Sequence, residues 1–254
     1  TNLNQIISFG KVPLGNNLQR SKKLSVEANR YPLGLSNCSK CKHYQLTHEV
    51  SSKLLYATNY TYLTGISSSF INHFKEYVDW VEKKCKLKKN SKILDIGSND
   101  GTCLKAFKKK NFSTIGIDPA KLPAQLANKN KIKTYNYFFN SKSSEIIFNK
   151  EGKFDFITSH NVFAHIDNLQ LVFKNIFFLL KEDGYLCFEI GYFIKVMQNN
   201  LFDTIYHEHL DYHHAAPLIK LLKSIGFSII EIKENRIQGG SLRILCKKET
   251  KPKQ

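Results

Sequence analysis

The sequence predicts an α/β chain: a Rossmann-like domain on a mostly parallel seven-stranded sheet with an antiparallel final hairpin, preceded by a small irregular N-terminal module. Three observations predict it. From Lys92 onward, short apolar runs alternate with stretches of helical periodicity, the pattern of βαβ units. A glycine-containing loop, "LDIGSNDG", closes the first of those runs and opens a helix. The first 58 residues are instead rich in turn formers, as in "KVPLGNN" and "RYPLGLSNCSKCKH", and poor in long periodic runs.

Taken in order, residues 1–60 form the module and 61–254 the main domain. "GISSSFINHFKEYVDWVEKKCK" spaces Phe70, Phe74, Val78 and Val81 at helical intervals, with Ser67 to Ser69 available as N-caps. "KILDIG" reads as a strand and "GTCLKAFKKK" as the helix after it. "FSTIGID" is the next strand, followed by helix "PAQLANKNK". After "IKTYNYFF" come strand "FDFITSH", helix "NLQLVFKNIFFLLK" and strand "GYLCFEI". Helix "APLIKLLKSIG" precedes two last strands, "FSIIEIKE" and "SLRILCKK", antiparallel to each other. No internal repeat is present.

With 42% hydrophobic residues, the 254-residue chain can build a packed core. No run approaches the roughly 20 apolar residues of a membrane span, so no membrane association is expected. No secretory leader is visible, although the chain begins at Thr1 rather than Met. The formal charge of +17 would attract anions, but it comes from 34 Lys and only 4 Arg. Nucleic-acid readers lean on the bidentate Arg fork, so the lysines read as a solvated surface. Nucleic acid is therefore disfavoured as a partner, while a phosphorylated substrate suits the charge. Cys85, Cys103, Cys187 and Cys246 lie singly in predicted helices or strands, as small buried hydrophobes of a reducing compartment. A cytoplasmic monomer or weak dimer is expected.

The loop reads as a nucleoside site. Gly97 and Gly101 permit a tight turn and close approach of backbone to ligand, and Asp118 ends the next strand 17 residues beyond Gly101. A carboxylate there can accept both hydroxyls of a ribose. The pattern is D-x-G-x-x-x-G rather than G-x-G-x-x-G, with Asp95 entering the loop and Asp100 inside it. Extra carboxylates repel a pyrophosphate but suit a sulfonium and an ammonium, which favours S-adenosylmethionine over a dinucleotide. Asp95, Gly97, Ser98, Asn99, Gly101, Asp118, Pro119 and Asn161 are the candidate cofactor contacts. A plain tight turn in another α/β fold is the competing interpretation.

The stretch "YHEHLDYHH", from Tyr206 to His214, holds four of the nine histidines. It lacks the HExxH spacing that puts two histidines on one helix face for zinc. His209 and Asp211 match the start of a two-histidine, one-carboxylate iron site, but such sites usually sit in β-barrels.

In order and spacing, "LDIGSNDG", "GIDPA", "NVFAHIDN", "FDTIYHEHLDY" and "IQGGSLRI" resemble the nucleotide-sugar C-methyltransferases. These are class I S-adenosylmethionine enzymes that methylate a keto-deoxysugar at carbon. The resemblance covers essentially the whole chain and is most specific in the YHEH and GGSLR segments. It implies an N-terminal zinc module, a methyltransferase domain and a further C-terminal domain, which would begin where this chain stops. "CSKC" has zinc-knuckle spacing. By the resemblance, Cys38 and Cys41 are half of a four-cysteine structural zinc site whose other pair would lie upstream of Thr1. Two ordinary loop thiols are the alternative, and His43 and His48 are the nearby substitutes as ligands.

A ketosugar carbon becomes nucleophilic only when a proton alpha to the carbonyl is removed. That calls for a base titrating near neutrality and a donor for the enolate. By resemblance His209 is the base, Tyr206 assists or holds the enolate, His165 and Tyr60 line the pocket, and Glu208 orients or tunes an imidazole. His207, His213 and His214 are expected to be surface residues. The expected activity is S-adenosylmethionine-dependent C-methylation of a nucleotide-linked 4-keto-deoxysugar. The alternatives are O- or N-methylation of a small molecule or RNA, or a cofactor-binding fragment without turnover.

Overall fold

Residues 3–56 and 62–249 are described by the computed structural model. The N-terminal region comprises β1 (Leu3–Pro13), α1 (Lys22–Val26), β2 (Arg30–Cys38), β3 (Tyr44–Leu46) and α2 (Ser52–Tyr56). The long helix α3 (Ser68–Cys85) leads into β4 (Lys92–Ile96), α4 (Thr102–Lys109), β5 (Ser113–Ile117), α5 (Lys121–Lys129) and β6 (Thr134–Tyr135). Then follow α6 (Ser141–Glu151), β7 (Phe154–His160), α7 (Leu169–Leu179) and β8 (Leu180–Gly191). The chain continues through α8 (Phe193–Gln198), β9 (Asp211–Tyr212), α9 (Ala215–Ile225), β10 (Phe227–Asn235) and β11 (Ser241–Lys248).

The larger sheet has seven strands in the order β10-β11-β8-β7-β4-β5-β6. The β4, β5, β6, β7 and β8 pairings are parallel and β11 runs antiparallel to β10, as the sequence predicts; β11 is also antiparallel to β8. Strand order reverses at β4, with β5 on one side and β7 on the other. A crevice therefore opens at the carboxyl ends of these strands, where ligands of doubly wound sheets bind. Successive residues point to opposite faces: Leu94 joins one apolar cluster and Ile93 the other, and Ile157 opposes Phe156. Both faces are covered, which is why these strands read as near-continuous apolar runs. On one face α3 buries Phe74, Tyr77, Val78 and Val81. It starts at Ser67, whose hydroxyl accepts from Phe70 N–H, and ends at Lys86 in the left-handed region.

The N-terminal region is more regular than its composition suggests. β1, β2, β3 and β9 form a four-stranded antiparallel sheet in that order. Pro32 is tolerated in β2 because β3 pairs only at residues 35–37, so at Pro32 the strand has β1 alone beside it. β1 is exposed along almost its whole length and slips register twice against β2, so no apolar alternation betrays it. Three further departures are local. Helix α6, capped by Asn140 and Ser143, has only Ile147 as a fully buried apolar residue. Helix α7 stops at Leu179, and the following Leu180 and Lys181 belong to β8 instead. Helix α8 and strand β9 carry no periodic signal of their own.

Candidate active site

The loop after β4 closes on its own sheet. Gly97 (φ +71°) and Gly101 (φ +77°) both need the left-handed region. A Cβ on Gly97 would overlap the Val162 side chain, and one on Gly101 would come within 3.0 Å of Ile132. The Asp118 carboxylate accepts from Asn99 N–H and Ala120 N–H, each at 2.8 Å. Burial pushes Asp118 up to about 6, against the pull of those two N–H groups. Burial also drives Asp95 well above the usual carboxylate range, with the Asp118 charge adding to it.

Asp95 Oδ1, Ser98 Oγ and Asn161 Oδ1 are buried without a hydrogen-bond partner. All three residues line one cavity, together with Asp118 and Pro119. A buried unpaired polar atom costs about 1–3 kcal/mol, so three around one crevice mark a place built for a polar ligand. Acceptors of this kind fit the hydroxyls and the cationic end of S-adenosylmethionine. Two loop side chains act otherwise. Asn99 accepts from Thr64 N–H at 2.9 Å and donates to Tyr62 O at 3.0 Å, so its side chain is a strut to the 62–64 segment. Asp100, expected to offer charge to the ligand, instead accepts from Gly65 N–H at 2.9 Å and from the Thr102 hydroxyl at 2.6 Å.

Across the cavity lie His165, Tyr206, Glu208 and His209. His209 Nδ1 donates to Thr204 O at 3.0 Å, which leaves Nε2 to accept from the Tyr206 hydroxyl at 3.2 Å. The His165 and His209 ring centroids are 5.1 Å apart. Burial presses His209 down to about 3, with repulsion from His165 as a further cause, and raises the Tyr206 phenol above its usual value, aided by the Glu208 charge. The expectation of a base titrating near neutrality is thus corrected: desolvation holds this imidazole neutral throughout the physiological range. Glu208 also differs from expectation. Its backbone oxygen accepts from His165 Nδ1 at 2.6 Å, while its carboxylate accepts from Asn16 Nδ2 at 2.5 Å. Tyr60 lies outside the described residues.

His207 and His213 are not surface residues; each is 1% exposed, and His214 is half-buried. Each donates to a backbone carbonyl. His207 Nε2 lies 3.3 Å from Tyr31 O and 3.2 Å from Pro32 O, His213 Nε2 is 3.0 Å from Phe163 O, and His214 Nε2 is 2.9 Å from Lys42 O. A ring that reaches a carbonyl can be buried at little cost, and composition alone does not show that reach.

A buried ionic cluster beside the cavity escaped sequence reasoning. Glu189 accepts from His73 at 2.6 Å, His160 at 3.0 Å and Arg243 at 2.7 Å. Burial works to raise the Glu189 carboxyl, but hydrogen bonds from His160 and His73 and the Arg243 charge outweigh it and hold it well below the carboxylate range. Register assembles the group, since His160 on β7 and Arg243 on β11 both stand opposite Glu189 on β8. The Arg243 guanidinium lies 4.8 Å from both the Tyr77 and Trp80 rings. The available signal was a lone Glu in the apolar run "YLCFEI".

Cys38 and Cys41 sit on a tight turn in which Cys38 N–H donates to His43 O and Lys42 N–H to Cys38 O, both at 2.8 Å. Hydrogen bonds from the Cys41 and Lys40 N–H groups lower the Cys38 thiol. Such a turn prepares thiolates for a metal, but His43 Nε2 is committed to Asp211 at 2.6 Å. Among the described residues no group of three or more His, Cys, Asp or Glu is placed to hold a metal ion.

Residues 70–232 match a family model described as "Methyltransferase domain", and residues 1–56 match one described as "Putative zinc binding domain". The chain is similar to the C-methyltransferase NovU of Streptomyces niveus, with 29% identity over 241 residues. That stretch is 95% of this chain and 57% of the relative, so the chain spans little more than half that relative's length. Among solved structures it is similar to an S-adenosylmethionine-dependent methyltransferase from Clostridium acetobutylicum, at 16% identity and a TM-score of 0.55, covering 70% of this chain and 92% of that one. It is also similar to magnesium protoporphyrin IX methyltransferase from Synechocystis with bound SAH, at 14% identity and a TM-score of 0.55, covering 70% and 83% of the two chains. At such identities the likeness shows the shared fold. No described helix is long and apolar enough to cross a membrane.

Proposed function

The chain belongs to the methyltransferase-domain family, and from that membership we propose that it uses S-adenosylmethionine to methylate a carbon of a nucleotide-linked 4-keto-deoxysugar. One cavity of about 1190 Å³ joins the cofactor loop to the 204–214 segment, and that joining carries the assignment. Its volume exceeds the roughly 300–1,000 Å³ of an ordinary single-ligand site, which leaves room for two molecules side by side. The similarity to a C-methyltransferase over 95% of the chain supports carbon as the acceptor.

When bound, the cofactor supplies an electrophilic methyl on a sulfonium. Asp118 would accept the ribose hydroxyls, and Asp95, Ser98 and Asn161 would offer their unpaired oxygens to the remainder. Opposite them, the neutral His209 ring takes the proton alpha to the ketone, directly or through the Tyr206 hydroxyl. The carbon–hydrogen electron pair moves into an enolate, whose oxygen accepts a hydrogen bond from a phenol that stays protonated. His165 flanks the ring, and Tyr60 joins this group by resemblance. Cys38 and Cys41 would hold half of a structural zinc site in the N-terminal region.

Methyl-labelled S-adenosylmethionine and a panel of nucleotide ketosugars test the proposal. Nuclear magnetic resonance should show a labelled methyl bonded to ring carbon. A methoxy signal, or labelling of RNA instead, would refute it.

A further inference from the structure

The geometry points to Asn16 as a positioning residue for Glu208, contributed to the active site by the N-terminal sheet. This rests on the proposed role of the 206–209 segment in proton handling. After β1 the chain turns at Leu14–Asn17, closed by Asn17 N–H donating to Leu14 O at 3.3 Å. Leu14 is buried, which pins the turn. Leu14, Asn16 and Asn17 line the same cavity as Tyr206, Glu208 and His209.

Two contacts aim this turn at the proton-handling groups. Asn16 Nδ2 donates to Glu208 Oε1 at 2.5 Å, across 192 residues of sequence. Gly15 faces the Tyr206 ring, where an added Cβ would sit 3.9 Å from Cδ2. The chemistry of the donor is informative. Asn16 meets this carboxylate with a neutral amide rather than an ammonium. An ammonium would cancel the charge on Glu208, whereas an amide fixes the carboxylate in place and leaves its charge beside the phenol. Burial is the first cause of the raised Tyr206 and that charge the second, so the position of Glu208 contributes to how firmly Tyr206 keeps its proton. Asn16 therefore acts on the Tyr206–His209 pair through Glu208.

A double-mutant cycle tests this with the whole chain, labelled S-adenosylmethionine and the best ketosugar of the panel. Asn16→Ala should lower kcat about tenfold with KM and cofactor affinity within about twofold, and the loss should vanish in a Glu208→Gln background. Asn16→Asp, of the same shape, should lower kcat further, and it keeps the test open if the alanine variant melts early. Equal losses with and without Glu208, or a change confined to KM, would overturn the positioning role while leaving the function standing. A wild-type chain that methylates no ketosugar carbon would overturn both.

Discussion

The cofactor loop and the 204–214 segment face each other across one cavity, yet they are held in opposite ways. The loop is held from nearby: Asp118 accepts from Asn99 N–H, Gly97 N–H donates to Ile117 O at 2.8 Å, and Asn99 and Asp100 tie down residues 62–65. It leaves Asp95 Oδ1 and Ser98 Oγ bare, beside Asn161 Oδ1 from the end of β7. The segment is held from afar. Tyr31, Pro32, Lys42, His43 and Asn16 each bond to it from more than 160 residues away, and Leu46 N–H donates to Leu210 O at 2.9 Å. One half is thus a preformed receptor made by a single βαβ unit. The other is anchored to the four-stranded N-terminal sheet, to which it contributes β9. Chemistry and cofactor binding should therefore fail separately.

The largest expected effect is on chemistry. His209→Asn should lower methyl transfer by about a thousandfold, the scale of a lost general base. Calorimetry should find S-adenosylmethionine binding unchanged; a parallel loss of affinity would break the division. Asp118→Ala should do the converse. Losing hydrogen bonds to a buried carboxylate costs about 1.5–3 kcal/mol, so cofactor Kd should rise roughly ten- to a hundredfold, with turnover recovering at saturating cofactor.

His43→Ala probes the support from the N-terminal sheet itself. It removes the 2.6 Å bond to Asp211, one residue beyond the Leu210 carbonyl held by Leu46. A kcat reduced about fivefold at unchanged cofactor affinity is expected. An equal fall in affinity would mean that the loop also depends on the N-terminal sheet.

The smallest effect is a difference in pH response. Asp118 is raised to about 6, so it binds a proton, and loses its charge as an acceptor, as pH falls through about 6. Cofactor affinity should be flat above about pH 7 and weaken progressively below 6. His209, held near 3, carries no proton anywhere between pH 5 and 9, so kcat at saturating ligands should not bend there on its account. A kcat inflection near 6.5 would show that ligand binding restores His209 to an ordinary imidazole.

The same contrast explains what could be read from sequence. The loop was legible because everything that makes it lies within a few dozen residues: an apolar run, two glycines that alone suit φ near +70°, and Asp118 closing the next strand. The partners of the segment were not legible. Nothing near "YHEHLDYHH" says that His207 donates to Tyr31 and Pro32, so its burial runs against the average exposure of histidine. Glu189 was missed for a related reason. It pairs across strand register with His160 and Arg243, and register between strands far apart in sequence carries no local pattern. β1 pairs on one side and buries almost nothing, so its alternation was absent rather than overlooked.

The most direct test of the divided site is exchange of solvent deuterium into the substrate carbon alpha to the ketone, followed by mass spectrometry in the wild type, His209→Asn and Asp118→Ala. The account predicts exchange in the wild type and Asp118→Ala, where the proton-handling segment is intact, and none in His209→Asn. Undiminished exchange in His209→Asn, or its loss in Asp118→Ala, would contradict the claim that proton abstraction belongs to the 204–214 segment and not to the cofactor loop.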